Sequence, residues 1–287
     1  MVDYLRILRP RQWIKNIFIF AGLVFSRHFY YPQSIRLSIY AFIIFCLLSG
    51  GGYIINDILD YEEDRVHPEK SKRPISAGRI TKPIAGLWAL VLLTISLVWA
   101  FKINGSFFFT CLLYLFFSVS YSLYIKRVVI LDVLFVSIGY VLRAIAGAVV
   151  IGVEISSWLF LCTLLLALFL VVSKRRTEII LLGKEATKHR KILSQYSVEL
   201  LNQMIAIVTS ACVVSYCLYT LSPQTIEKFG TKNLILTIPF VIYGIFRYLY
   251  VTFQKLQSDI PEKAIIGDRP LQVCVVLWII ICILILR

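Results

Sequence analysis

Between residues 50 and 65 the chain places Asn56, Asp57, Asp60 and Asp64 close together, with Tyr53 just ahead of them. On a helix turning 100° per residue, the spacing i, i+3, i+4, i+7, i+11 from Tyr53 to Asp64 puts all five on one face. Three carboxylates there repel one another unless a cation neutralises them. Hard oxygen ligands that leave coordination positions open suit Mg²⁺, which proteins hold with one or two carboxylates plus substrate phosphates. The pattern points to a divalent cation at Asn56, Asp57, Asp60 and Asp64, with a diphosphate as the third party.

Residues 65–79 follow directly and supply five cationic side chains, Arg65, Lys70, Lys72, Arg73 and Arg79, suited to pairing phosphate oxygens. A solvated basic loop is the plain alternative, but it leaves the one-sided acids next door unexplained. Lys126 is a better candidate for phosphate than Tyr121 and Tyr124, whose default role is interfacial anchoring. Arg143 lies inside an apolar run, where an isolated charge costs at least about 2.5 kcal/mol, so it should face a partner or a cavity. A donor phosphate and a structural hydrogen bond both meet that need. Residues 173–178 read Ser-Lys-Arg-Arg-Thr-Glu; Lys174, Arg175 and Arg176 either contact phosphate or form a basic stop at a helix end. The three glycines at 50–52 admit either tight helix packing or room for a substrate. His67 reads as structural at its His-Pro step, and His28 and His189 look incidental.

The elements that must position these groups are apolar. Of 287 residues 59% are hydrophobic and 16% charged, and the mean hydropathy is +0.81, which excludes a cytosolic enzyme. Runs of spanning length give nine candidate helices centred near Ala21, Phe45, Val91, Leu115, Ser137, Leu168, Ala211, Tyr243 and Ile279. Of the 30 Lys and Arg, 22 fall in the amino-terminal segment and the loops after helices 2, 4, 6 and 8, and 6 in the opposite set. The positive-inside rule then expects the amino terminus and those loops in the cytoplasm, in a multi-pass protein of the inner membrane. The seven cysteines lie in apolar stretches without metal-ligand spacing, so neither disulfides nor zinc are indicated. The first apolar run reads as a retained helix rather than a cleaved signal. The expected fold is all-α, one transmembrane domain over residues 1–287, with membrane lipids as surroundings and no nucleic-acid partner.

The pattern Asn56-Asp57-x-x-Asp60-x-x-x-Asp64 resembles the first aspartate-rich motif of the UbiA-type intramembrane prenyltransferase superfamily. Residues 56–78, together with residues 9–16 and Tyr121-Ser122-x-x-x-Lys126, are similar to its decaprenyl-phosphate phosphoribosyltransferase branch. The resemblance implies nine helices around a lipid-accessible cavity, with Mg²⁺ and a diphosphate at its cytoplasmic mouth. It implies catalytic roles for Asp57, Asp60 and Asp64. Donor-binding roles are implied for Lys15, Tyr53, Asn56, Arg65, Lys70, Arg73, Lys126, Arg143, Lys174, Arg175 and Arg176.

Ordinary members carry a second aspartate-rich motif after helix 6, where this chain has residues 173–178 with three cations and one acid. Beyond Asp64 only Asp132, Asp259 and Asp268 remain, and none pairs at helical spacing. A donor with phosphate beyond its diphosphate suits such a site, as phosphoribosyl diphosphate does, with a polyprenyl phosphate as acceptor. The alternatives are prenyl transfer from a prenyl diphosphate to an aromatic or other small acceptor, and transport of an anionic solute. Residues 259–270 carry charges to which spacing assigns no role.

Overall fold

The computed structural model describes residues 2–66, 69–182, 191–254 and 267–287. Among them every regular element is helical. They fall into two compact units, one of residues 2–66, 69–155 and 191–195, the other of residues 156–182, 196–254 and 267–287. The long helices of the first unit are α1 (Pro32–Leu59), α2 (Lys82–Ile103), α3 (Gly105–Leu123) and α4 (Leu131–Val150). Those of the second are α5 (Ser157–Leu182), α6 (Val198–Leu221), α7 (Ile238–Gln254) and α8 (Arg269–Ile285). Seven of these, α7 counted with the 3₁₀ turn Asn233–Thr237, are long and apolar enough to cross a membrane. The eighth, α8, has 17 residues, near the lower limit for a span. The chain is a polytopic integral membrane protein.

Nine continuous helices are expected, and the one centred on Ala21 is not continuous. Pro10–Ile19 is a 3₁₀ segment of 10 residues and Phe20–Phe25 is a short α-helix. Left-handed residues bracket the pair, Arg9 at φ 50° and Arg27 at φ 61°. Because a 3₁₀ helix rises about 2.0 Å per residue, the two pieces together reach about 29 Å, nearly the thickness of a bilayer core. Close packing against α4 holds this segment. A Cβ on Gly147 would overlap the Ile19 carbonyl oxygen, so only glycine lets the two backbones meet there.

In the first unit α1 and α4 are the inner helices. Of each span 61% is buried, against 28% for α2 and α3. Phe45, Ile44 and Leu48 of α1 pack with Phe107 and Cys111 of α3 and with Leu142 and Ala146 of α4. On the outer faces Leu87, Leu90 and Phe101 of α2, and Phe109 and Phe116 of α3, are exposed. Lipid solvates such side chains as well as a core does, so helix association rests on close packing rather than on hiding apolar area. The glycines at 50–52 serve that purpose: a Cβ at Gly51 would stand 2.8 Å from Leu93 of α2.

Caps fix the helix starts. Asn104 is the single residue between α2 and α3; its side chain accepts from the Phe107 amide at 2.6 Å. Ser197 does the same for Leu200 at the start of α6 at 3.0 Å. In the second unit Asp268, unassigned by spacing, caps Leu271 of α8 at 3.0 Å and takes a bidentate pair from Arg247 of α7 at 2.9 Å. Asp259 lies outside the described residues, as do His67 and His189.

Replacing Gly147 with Val should force the Pro10–Ile19 segment away from α4. The expected loss is at least the roughly 1–3 kcal/mol of ordinary overpacking. Gly86→Ala in α2, where a Cβ meets open space, should hold or raise stability by up to about 1 kcal/mol. Thermal unfolding of the two detergent-purified variants checks this, and equal midpoints would contradict it.

Candidate active site

The carboxylates lie where α1 ends. Hydrogen bonds carry the helix past its last residue, from the Asp60 amide to Asn56 O at 2.9 Å and from the Asp64 amide to Asp60 O at 2.8 Å. Asp60 itself relaxes to φ −90°, ψ 10°, and a second short helix, Tyr61–Arg65, begins after it. Asp57 and Asp64 are 2% and 1% exposed. Carboxylates this deep need charge partners or donors, and all three have them.

Asp57 Oδ1 accepts from Arg9 Nη2 and, at 3.0 Å, from Arg73 Nη1. The same Arg73 nitrogen donates to Asp64 Oδ2. Lys70 Nζ stands 3.6 Å from Asp64 Oδ1. Asp60 has partners of its own: its Oδ1 accepts from Lys126 Nζ and its Oδ2 from Asn56 Nδ2 at 3.0 Å. The outcome is an interleaved cluster of three acids and four cations, all within the first unit. Among the described residues no three acids gather around one point as a ready cation cage. Arg73 Nη1 instead holds Asp57 and Asp64 together. Burial, and then the adjacent Arg9 charge, pull the Arg73 guanidinium below its ordinary pKa.

The loop that delivers Arg73 is anchored rather than solvated. Lys70–Lys72 forms a 3₁₀ turn, and the amides of Ala77, Arg79 and Ile80 return to the Arg73 and Pro74 carbonyls at 2.8 to 3.1 Å. Ile75 and Ile80 plug into a core with Ile7, Leu8 and Ile54. Lys126 comes from the 3₁₀ turn Ile125–Arg127 after α3, and is 8% exposed. Tyr124 beside it is 73% exposed, as an interfacial anchor should be. Arg9 spends a left-handed backbone conformation, rare for a residue with a Cβ, to send its guanidinium to Asp57, and it passes 5.2 Å from the centre of the Tyr53 ring.

Arg143 joins a second, deeper network. Its Nε donates to Asn16 Oδ1, its Nη1 to Gly139 O and its Nη2 to Tyr114 OH, each at 2.7 Å. The guanidinium also lies 4.7 Å from the Tyr114 ring centre. Asn16, fully buried, reaches back to Cys46 Sγ at 3.3 Å. Lys15 is half-buried one residue earlier. Here a carboxamide, a carbonyl and a phenol accept from a cation three turns from Asp132, the acid on its own helix.

Of the residues that the sequence nominates for the donor, Asn56, Lys70, Arg73 and Lys126 therefore meet the carboxylates, with Tyr53 beside Arg9. Arg65 is exposed and stacks on Tyr61 at 5.6 Å. Lys174, Arg175 and Arg176 belong to the second unit. There Arg175 donates to Glu178 at 2.8 Å, Lys174 stands 3.9 Å from the same carboxylate, and Arg176 donates to Asn202 at 2.6 Å over the Phe253 ring. Arg9, Asn16 and Tyr114 were not nominated. Both Arg9 and Asn16 lie in the string 9–16 that carries the family resemblance, which is the available signal for them; charge counting alone reads Arg9 as a topological cation.

Residues 16–174 match the UbiA prenyltransferase family. Decaprenyl-phosphate phosphoribosyltransferase of Mycolicibacterium smegmatis is 31% identical, over 96% of this chain and 89% of its own. The enzyme of the same name from Corynebacterium glutamicum is also 31% identical, over 96% of this chain and 84% of its own. A UbiA homolog from Archaeoglobus fulgidus, solved bound to GPP and Mg²⁺, superposes with a TM-score of 0.74 at 20% identity, covering 99% of each chain. Joined to the aspartate cluster at the end of α1 and to the all-helical membrane fold, these likenesses settle the family: the chain belongs to the UbiA prenyltransferases.

Proposed function

We propose that this protein transfers 5-phosphoribose from phosphoribosyl diphosphate to a polyprenyl phosphate of the decaprenyl type, releasing pyrophosphate. The observation that carries the reading is the make-up of the cluster, in which basic side chains equal or outnumber the acids around every carboxylate. Such a site suits a donor with a diphosphate and a further phosphate. The two near full-length relatives support it by name. The Archaeoglobus structure's GPP favours prenyl transfer as the second reading, and the missing second acidic motif speaks against it.

Asp57, Asp60 and Asp64, with Asn56, have the hard-oxygen chemistry to hold Mg²⁺, which supplies positive charge to a departing diphosphate. Lys70, Arg73 and Lys126 bind and orient the donor phosphates, and Arg9 adds a fourth cation. The acceptor phosphate is already ionised at neutral pH, its second pKa being about 6, so no general base is required. Its oxygen forms a bond to C1 of the ribose as the bond from C1 to the pyrophosphate oxygen breaks. Rate enhancement is then positioning plus electrostatic stabilisation of the leaving group. The excess of Lys and Arg in one set of loops supports reading this site as lying at the cytoplasmic face of the inner membrane.

Detergent-purified protein incubated with a polyprenyl phosphate and either labelled phosphoribosyl diphosphate or labelled prenyl diphosphate should move only the first label into the lipid fraction. Passage of the prenyl label to an aromatic acceptor would replace this reading with the second. Asp57→Asn and Asp60→Asn should each lower kcat at least about 10²-fold while the protein stays folded, and EDTA should abolish turnover. Wild-type rates in both variants would contradict the assignment. Lys70→Ala should raise the donor KM by roughly 10-fold or more, as loss of a charge-assisted contact worth about 1.5–3 kcal/mol requires. Titrating donor and acceptor separately checks this, and a change confined to the acceptor would reverse the role of Lys70.

A further inference from the structure

We infer that Arg73 and Arg9 are exchangeable counter-ions of the metal-binding carboxylates, so that a divalent cation and a diphosphate enter this site as a pair, each weak without the other. The inference rests on the reading of Asp57, Asp60 and Asp64 as metal ligands, but not on which group is transferred.

One oxygen of each of the two buried carboxylates is already used by these cations. Arg73 Nη1 bridges Asp57 Oδ1 and Asp64 Oδ2, and Arg9 Nη2 shares Asp57 Oδ1. Mg²⁺ sits about 2.0–2.1 Å from its ligand oxygens, and one ion cannot bind Asp57 Oδ1 and Asp64 Oδ2 while the guanidinium nitrogen lies between them. Like charges at that range repel strongly as well. Metal entry must turn Arg73 out. Once turned out, a guanidinium beside a second guanidinium gains most from an anion with several oxygens. A diphosphate is that anion.

The surroundings fit an exchange by side-chain rotation. Ile75 and Ile80 pin the loop on both sides of the turn after Arg73, so the guanidinium can swing while its backbone stays. The Arg73 side chain is 26% exposed, against 2% and 1% for the two carboxylates it bridges, which gives the cation an outward direction that the acids lack. Arg9, at φ 50° where the 3₁₀ segment starts, brings its guanidinium to the same Asp57 oxygen from a distant stretch of chain.

Equilibrium dialysis of the purified full chain with ⁵⁴Mn²⁺, alone and together with ³²P-pyrophosphate, counts protein-bound label of each kind while solution complexes equilibrate across the membrane. In wild type, pyrophosphate should tighten Mn²⁺ binding by about 10-fold or more, and Mn²⁺ should tighten pyrophosphate binding by the same factor. Arg73→Gln should bind Mn²⁺ alone at least about 5-fold more tightly than wild type and lose most of the pyrophosphate gain. Arg73→Lys should keep weak metal binding, and Arg9→Gln should shift it in the same direction as Arg73→Gln. Asp57→Asn combined with Arg73→Gln should cancel the tightening, which locates the metal. Size-exclusion profiles and unfolding midpoints establish that the variants are folded. Wild-type protein that binds Mn²⁺ equally well with and without pyrophosphate overturns the inference, and so does an Arg73→Gln protein whose metal affinity is unchanged or weaker. Because pyrophosphate leaves in both transferase readings, a failure of the linkage and a failure of phosphoribosyl transfer are separate results.

Discussion

Carboxylates at the end of a membrane span have to be neutralised, and the rest of the first unit is arranged around how that is done here. Asp57 and Asp64 are almost completely buried. Taking an ion out of water costs several kcal/mol even after relaxation, so an acid at that depth without a partner would protonate or pull the helix end apart. The four cations come from three stretches far apart in sequence: Arg9 before the first 3₁₀ segment, Lys70 and Arg73 after α1, and Lys126 after α3. Displacing any of these stretches removes a charge partner from one of the carboxylates. The amino-terminal segment, the basic loop and the turn after α3 are thereby tied to the end of α1.

The split first span follows from the same demand. Arg9 must reach Asp57 while Asn16, seven residues on, must reach Arg143 in α4. A 3₁₀ rise separates positions seven residues apart by about 14 Å, whereas an α-helix would give about 10.5 Å. The longer reach lets one short segment serve two networks. It also brings the Ile19 carbonyl against α4, which only a glycine at 147 permits. Poorer hydrogen-bond geometry in the 3₁₀ segment is offset by these long-range contacts.

The aspartate face and most spans could be read directly from residues because both depend on local periodicity, the helical repeat and an apolar run. What escaped depends on distant partners. Arg9 belongs to the string 9–16 that carries the resemblance, but only the fold shows its guanidinium at Asp57. The reverse holds for Arg65, which sits one residue after Asp64 and yet stacks outward on Tyr61. Helical spacing placed Asp60 with Asp57 and Asp64, but the relaxed backbone at Asp60 and the position of Lys126 turn it to a partner of its own. The one continuous helix expected near Ala21 is instead two pieces, because hydropathy counts apolar residues and does not register a change of rise. Asp268 had no readable role since its partner, Arg247, lies 21 residues away on another helix.

A basic surplus of +14 has two physical origins that counting cannot separate. The positive-inside rule requires only that cations lie on one side of the membrane, and a fully hydrated side chain satisfies it as well as any other. Exposed Arg65 and Arg11 need no further explanation. Burying a cation is different, because desolvation opposes it and topology gains nothing from it. Lys126 at 8% exposure and Arg143 at 4% must therefore be held by what they touch. For Lys126 that is a carboxylate. For Arg143 it is a carboxamide, a carbonyl and a phenol, groups that satisfy its N–H donors without cancelling its charge. The first unit thus contains acids paired with cations at the end of α1 and, further along α4, a positive charge solvated by dipoles.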